Sequence, residues 1–566
     1  MKLLYRLLSI FTISASIFPG LLNAQSLSVG TPALEDYYRR AQLLGKIDSS
    51  LSFTSRPFFP RETLKLTDIF DPENTLPKTR WNKWDGKMQF ANGKGSIELL
   101  PVTLQVKYSR PVPISMNDGM MIPAKGFQPL ISAGVYAKLG PLSIQLQPEF
   151  LYAQNLPYAG FPEEHTKNSW ATYYSIYNYI DLPEQFGTGS YKKASWGQSS
   201  IRLTFGPISF GLSNENLWWG PGMRNSLLMT NSAPGFKHLT LNTVRPIRTP
   251  IGSFEAQLVS GRLENSGYPP PIYQRDSLGY KWMIQKRNDW RYFNGIVLSY
   301  QPKWVPGLFL GATRSFTVYH GDMDNRLSSW LPVIVPMTEK NTDMTTENIG
   351  RDQLASLFIR WIWPKENAEL YFEYGREDRA ANMRDVLVDL EHTRAYIFGL
   401  RRLIPLKKPD QFISVNAEVT HLEANNHRRV GGSSSWYIHY TIFHGYTNEG
   451  QLLGAGIGPG SNLQTLNISW NHGMKVIGLQ FERYVHNKDF MYLAWLDTRY
   501  NWVDYIGSLV GEWNYKNLIF TAKIDGVISY SYEFFYDPIP ANPPTFWDPA
   551  KNVYSIQALL GVMYRF

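Results

Sequence analysis

Two stretches carry side chains whose types and spacing suit chemistry. In the first, Ser213 to Gly235, the neighbouring indoles of Trp218 and Trp219 precede Gly220-Pro221-Gly222, and Asn214, Asn216, Arg224, Asn225 and Asn231 stand around them. Flat aromatic faces beside planar amides and a guanidinium are the chemistry of sugar recognition. The C–H face of a pyranose stacks on a ring, and its hydroxyls take paired hydrogen bonds. In the second, His444 to Asn462, recurring glycines shape a loop that presents Tyr446, Asn448, Glu449 and Gln451 to a hydroxyl-rich ligand. Both stretches also admit an architectural reading. Trp218 and Trp219 can pin an inward loop to a wall, with the asparagines capping turns, and the polar groups of the second loop can satisfy one another inside a lumen.

Other chemistries find less support. The chain has no Gly-x-Ser-x-Gly, no His-Glu-x-x-His and no phosphate-binding Gly-x-x-x-x-Gly-Lys loop, so the common hydrolase, zinc-protease and nucleotide signatures are missing. His439 and His444 are close in sequence, whereas His421, His427 and His472 are scattered, and there is no cysteine. No metal and no cofactor is expected. Glu149, Glu255, Glu369, Glu373, Glu418, Glu482 and Glu512 fall at expected water-facing positions. Paired carboxylates cleave glycosidic bonds, yet acids alternating with Arg and Gln are also what any polar barrel interior shows.

The elements that must hold these loops are extended. Tyr554, Ile556, Ala558, Leu560, Val562, Tyr564 and Phe566 fall on every second residue, with Ser555, Gln557, Leu559, Gly561, Met563 and Arg565 between them. A period of two makes one face apolar and aromatic and leaves the other mixed, mostly small or polar. An aromatic terminal residue, a Tyr two before it and an export signal at the other end point to the closing strand of an outer-membrane β-barrel. Lys2 and Arg6, the apolar run Leu7 to Phe18 and Leu22-Asn23-Ala24 make residues 1–24 a signal peptide, too short to anchor in a membrane. Removing Lys2 and Arg6 lowers the formal charge from +9 to +7. That mild excess is too small to argue for nucleic acid, and an acidic polymer or lipid A phosphates are the partners it suits. Aromatics make up 14% of the chain, enough for two interfacial girdles and a ligand surface.

Residues 25–90 read as an amino-terminal periplasmic helical segment, a cap or plug. Thr31 is placed to cap a helix with Pro32 in its first position, and Glu35 and Asp36 follow in its first turn. Gly45 is placed to end it, and a second short helix is expected over Arg61 to Phe70. From Ile97 the period becomes two. Short junctions such as Gly140-Pro141, Gly206-Pro207 and Asn471 to Met474 alternate with long polar, aromatic-rich connections such as Gln154 to Gly197, Asn214 to Lys237 and Glu423 to Ser461. A transmembrane barrel sorts its connections this way, with short periplasmic turns and long outer loops; a soluble sandwich has no reason to. With both ends periplasmic the strand number is even, and demoting Trp436 to Tyr446 to a loop leaves about 18 strands. The expected fold is thus an all-β barrel over residues 91–566, its lumen filled by inward loops. An oligosaccharide channel or porin is the alternative, differing in whether those loops seal the lumen; a glycan hydrolase is the third reading.

The segments Asn-Leu-Trp-Trp-Gly-Pro-Gly, Thr-Asn-Ser-Ala-Pro-Gly, Arg-Pro and Phe-Glu-Ala-Gln-Leu-Val-Ser-Gly-Arg-Leu-Glu between Asn214 and Glu264 resemble the Wzi family of capsule assembly proteins. Gly-Tyr-Thr-Asn-Glu-Gly-Gln-Leu-Leu-Gly-Ala from Gly445 and Phe481-Glu482-Arg483 are similar to the same family. The resemblance runs from about residue 30 to the end; the short, Pro-broken amino-terminal region departs from it. It implies a plugged outer-membrane barrel that attaches capsular or extracellular polysaccharide, lectin-like and non-catalytic. The partners expected are that polysaccharide, outer-membrane lipid and lipopolysaccharide, and the barrel-assembly machinery through the strand ending at Phe566. No nucleic acid is expected, and the chain is expected to be a monomer.

Overall fold

An extended backbone that turns one face to hydrocarbon must pair every N–H and C=O along its edges, which only a closed sheet achieves. The computed structural model describes residues 25–64, 66, 68–76, 86–271, 282–334, 350–377, 390–391, 393–408, 410–424, 435–495, 497–536 and 552–566. The expected signal peptide and His427 lie outside them. Among the described residues eighteen strands close into one antiparallel barrel. Strands β1 (Gly95–Arg110) and β2 (Gly126–Leu139) lead to β3, which runs Leu142–Leu146 and resumes as Glu149–Ala153. Next come β4 (Tyr191–Ser195, then Ser200–Phe205), β5 (Ile208–Ser213) and β6 (His238–Thr243, then Ile247–Thr249). The far wall is β7 (Gly252–Leu263), β8 (Arg291–Pro302), β9 (Leu308–Tyr319), β10 (Arg351–Trp363), β11 (Ala368–Glu377) and β12 (Arg394–Pro405). The barrel is completed by β13 (Gln411–His421), β14 (Asn462–His472), β15 (Lys475–Val485), β16 (Val503–Tyr515), β17 (Leu518–Tyr530) and β18 (Val553–Tyr564). Closure is direct: Leu560 of β18 stands opposite Val106 of β1.

The terminal strand sorts its faces as the alternation requires. Tyr554, Ile556, Leu560, Val562 and Tyr564 are exposed on the outside, and Ser555 is buried within. The expected short junctions are the turns at one end of the barrel. In Gly140 and Gly206 the backbone is left-handed, φ +58° and +57°, which is why glycine precedes proline there. Three boundaries differ from expectation. The first strand begins at Gly95, a short strand Lys87–Phe90 pairs beside it, and Tyr191–Ser195 extends β4 into what reads as loop. Trp436 to Tyr446 stays out of the wall, and β13 pairs directly with β14.

The amino-terminal segment forms helix α1 (Pro32–Leu43), with Pro32 at its start and Gly45 just past its end at φ +69°. Thr31 does not cap it: its hydroxyl donates to the Ser28 carbonyl, because the preceding chain folds back over it. The second helix is shorter than expected, Pro60–Leu64; Phe70, expected at its end, instead gives its carbonyl to Arg565 beside β18 at 2.8 Å. Arg40 donates to the Gly473 carbonyl at 2.9 Å and Lys46 pairs with Asp410 at 2.7 Å. Both partners sit in short turns, so α1 lies at the short-turn mouth. From there the chain enters the lumen, where Ser55–Arg56 forms a two-residue antiparallel ladder with Trp218–Trp219.

Candidate functional site

Strand β5 ends at Ser213 and the chain turns inward, so residues 214–235 lie inside the barrel. Trp219 is 0% exposed and its Nε1 donates to Gln257 on β7 at 2.9 Å. Its ring lies so close to β8 that a Cβ at Gly295 would stand 2.7 Å from it; only glycine admits the indole there. Trp218 is 3% exposed, with the Arg56 guanidinium 4.3 Å from its ring centre. Neither indole has a face free for a sugar in this arrangement. The polar residues around them are also engaged internally. Asn214 donates to the Gly197 carbonyl and Asn216 to that of Ala233. Asn225 donates to Thr420 Oγ1 at 3.1 Å, and Asn231 to the Asn117 carbonyl at 3.0 Å. Arg224 forks onto Glu482 of β15, Nε to Oε1 at 2.7 Å.

The second stretch packs against the first. Tyr446 is buried, stacks on Tyr437 and donates to Ser315 of β9 at 3.0 Å. Asn448 donates to the Pro234 carbonyl and accepts from the Glu264 N–H. With its amide oriented to satisfy its neighbours, Gln451 donates to the carbonyls of Met121 and Ser232. Glu449, nearer the surface, pairs with Lys193 of β4. The Thr230 N–H donates to the Leu453 carbonyl at 2.7 Å and joins the two stretches, and Tyr437, which precedes the second, donates to the Leu227 carbonyl at 2.7 Å. All eleven residues expected to bind sugar therefore stand in one connected plug with its wall contacts.

Buried ion pairs clamp that plug and α1 to the wall. Arg39 of α1 and Arg360 of β10 share the carboxylate of Glu369 on β11, the first at 2.9 Å and the second at 2.7 Å. Arg202 of β4 pairs with Glu215 at 2.6 Å, and Lys107 of β1 with Asp118 at 2.6 Å. Glu418 of β13 accepts the backbone N–H groups of Met223, Arg224 and Asn225 at 2.8 to 3.0 Å. Paired this way, charges tolerate a site from which water is largely excluded.

At the opposite, long-loop end lies a cleft of about 580 Å³ that motif reading missed. Helix α2 (Lys167–Tyr177) supplies Tyr174, and the chain beyond it Asn178 and Tyr179. Trp282 and Tyr440 come from two other loops, and Leu493 from helix α3 (Lys488–Ala494). Both helices are capped: Thr166 accepts from the Ser169 N–H and Asn487 from that of Phe490. Asn178 ties the loops, donating to the Trp282 carbonyl and accepting from the Ile284 N–H. Tyr179 and Tyr440 meet edge to face at 4.8 Å, and Tyr440 is 60% exposed. Among the described residues the lining holds no charged side chain. Such a wall offers ring faces and phenol hydroxyls, the groups that meet the apolar face and the hydroxyls of a sugar. The signal was present in Trp170-Ala-Thr-Tyr-Tyr-Ser-Ile-Tyr-Asn-Tyr179, an aromatic run at helical spacing with nothing to say which faces point out.

Beneath the cleft, Lys286 donates to the carbonyls of Tyr177, Asn178 and Phe443 at 2.8, 3.0 and 3.2 Å. Burial lowers its pKa to about 8, against the pull of Asp181. His444, buried beside Arg291 and Lys286, is lowered to about 2, mainly by desolvation. Its Nδ1 is hydrogen-bonded to the Tyr319 hydroxyl at 2.8 Å. Among the described residues no group of three or more His, Asp or Glu is placed to hold a metal ion.

The profile of the family described as capsule assembly protein Wzi matches residues 117–515. A comparison with curated protein sequences finds no match. Among solved structures, the chain is similar to Wzi of Escherichia coli, described as an outer-membrane protein involved in group 1 capsule assembly and a carbohydrate-binding β-barrel. Identity is 12%, the TM-score is 0.60, and the match covers 96% of this chain and 100% of that one. OccAB2 of Acinetobacter baumannii matches at 11% identity and TM-score 0.39, over 82% of this chain and 98% of its own. A BenF-like porin of Pseudomonas fluorescens matches at 8% and 0.38, over 83% and 99%. With most of its length matched by the family profile and its eighteen-strand wall in place, the chain belongs to the Wzi family of capsule assembly proteins.

Proposed function

We propose that this outer-membrane barrel attaches capsular or extracellular polysaccharide to the cell surface, without catalysis, and that the glycan meets the aromatic cleft on the outer loops. The observation that carries this is the rim of that cleft. Tyr440 is 60% exposed and meets the half-buried Tyr179 edge to face, over a lining whose described residues carry no charge, on loops braced from below by the plug. In this reading Trp218, Trp219 and the residues around them act as positioning residues that hold the outer loops rigid, which lowers the ordering cost of binding. The same view applies to Tyr446, Asn448, Glu449 and Gln451. Family membership supports the capsule as the source of the glycan.

Two features favour attachment over transport or cleavage. The short-turn mouth is covered by α1, and the lumen is crossed by residues 214–235 and by the loop that carries Tyr446, each tied to the wall. The lumen carboxylates Glu369, Glu418 and Glu482 each accept two or more hydrogen bonds from the protein, so these three serve as ties within the plug and not as a free acid–base pair. We further propose a monomer, embedded among outer-membrane lipid and lipopolysaccharide and delivered to the barrel-assembly machinery by the strand that ends at Phe566. Deleting the gene and staining for capsule tests attachment: polysaccharide should appear in the medium, and polysaccharide that stays cell-bound in the mutant refutes it.

A further inference from the structure

In one outer connection the described residues 327–334 fold down over the outside of the wall. After β9 the chain forms a helical turn, Leu327–Trp330, and a 3-10 turn, Pro332–Ile334. Four outward-facing wall residues hold it. Tyr292 of β8 donates to the Trp330 carbonyl at 2.5 Å, with the two rings edge to face at 5.3 Å. Asn294 of β8 accepts from the Val333 N–H and Arg314 of β9 donates to its carbonyl, both at 3.3 Å. Arg351 of β10 donates to Ser329 Oγ at 2.7 Å. The register leaves no doubt about the face, because Phe293 and Gly295, the neighbours of Asn294, meet Trp219 in the lumen.

Asn294 and Arg314 are misplaced for a bare lipid-facing wall, where unpaired polar groups are costly. Here Asn294 is 0% exposed; it also donates to the Val259 carbonyl and to Ser260 Oγ. Arg314 is held by Gln353 and Val333. The covering segment turns the other way: Leu327 is 74% and Ile334 63% exposed, with Trp330 between them partly so. Just below it on the same strands begins the bare apolar band, Leu298, Leu310, Leu357 and Ile359. Asn294 is three residues from the outer end of β8, about 10 Å along the strand. An apolar surface bearing a Trp, continuous with the hydrocarbon belt and set near its outer edge, has the composition of an interfacial anchor.

We propose that Leu327–Ile334 is a clasp that inserts into the outer leaflet, its partner the boundary between acyl chains and headgroups of the surrounding lipid. The clasp roofs the polar groups of β8 and β9 and replaces them, at the membrane surface, with Leu327, Trp330 and Ile334. It fixes the depth and rotation of the barrel independently of any glycan.

The chain has no cysteine, so a single nitroxide can be placed on full-length protein at Leu327→Cys or Ile334→Cys. Each variant is reconstituted in vesicles of phosphatidylethanolamine, phosphatidylglycerol and lipopolysaccharide after its heat-modifiable mobility is checked. Accessibility to oxygen and to a water-soluble nickel chelate is read by power saturation, with Leu357→Cys as the lipid-facing reference and Tyr440→Cys as the aqueous one. Both clasp positions should favour oxygen over nickel as Leu357→Cys does. Ratios nearer to those of Tyr440→Cys at both positions place the segment in water and overturn the proposal. The reading needs no polysaccharide, so failure of the capsule assignment leaves it standing and its own failure leaves the capsule assignment untouched.

Discussion

The guanidinium of Arg56 lies 4.3 Å over the indole of Trp218, joining the amino-terminal segment to the loop that follows β5. The same two residues are partners in a short antiparallel ladder, and Arg56 also pairs with Glu35 of α1 at 2.9 Å. Three parts of the chain, helix, ladder and Trp loop, thus share one contact in the middle of the lumen. Disturbing one should be felt by the others.

Trp219→Ala removes a wholly buried indole and its bond to Gln257. The expected cost is ~3–5 kcal/mol from lost burial and the cavity left behind. Thermal unfolding of the detergent-solubilised barrel, followed by heat-modifiable mobility, should shift to lower temperature. Glycan retention should fall only as far as the outer loops loosen. An unchanged midpoint together with abolished binding would instead assign Trp219 to the ligand.

Tyr440→Ala and Trp282→Ala act at the rim of the cleft. Loss of one stacked ring should weaken polysaccharide binding about fivefold, from ~1 kcal/mol per aromatic contact. The unfolding midpoint of Tyr440→Ala should stay where it is, because that ring is mostly exposed. Binding that survives both changes moves the glycan site elsewhere.

Glu369→Gln leaves Arg39 and Arg360 without their shared carboxylate. Breaking a buried ion pair from one side costs ~3–5 kcal/mol. Limited proteolysis should cut within residues 25–60 sooner than in the parent, and restoring resistance by pairing the change with Arg39→Met would show that the exposed charge, not lost packing, is responsible.

Acid should loosen the outer loops through His444. Its folded pKa is depressed from 6.5 to about 2 by burial beside Arg291 and Lys286, with Tyr319 as its hydrogen-bond partner. The unfolded chain takes up a proton below pH 6.5 and the folded one does not, so this contribution is complete above that pH and is lost as pH falls below it. At pH 5 the loss is about 2 kcal/mol. Unfolding midpoints measured between pH 7 and 5 should decline, and His444→Gln should flatten the slope.

A lumen crossed by residues 214–235 and by the loop that carries Tyr446 is expected to conduct no ions. Purified protein in planar bilayers should show no stable open level, and a steady single-channel current in the parent protein would favour the channel reading.

How the chain divides between what was legible and what was not follows from the range of the forces involved. Period-two alternation, the Gly-Pro turns and the sorting of short and long connections are local signals, since a strand between lipid and water imposes its pattern residue by residue. They determined a barrel of about 18 strands, the position of Pro32 and Gly45 at the ends of α1, and the exclusion of Trp436 to Tyr446 from the wall. Whether Trp218 faces a sugar or Arg56 is not local: the partners are 162 positions apart in the chain, and an indole suits either. The cleft of Tyr174, Tyr179, Trp282 and Tyr440 likewise exists only once three loops converge. Asn294 and Arg314 stand on an outward face of the wall, and only the fold of Leu327–Ile334 over them decided that they are covered. Backbone periodicity is written into neighbouring residues, whereas burial depends on what the rest of the chain brings to the same place.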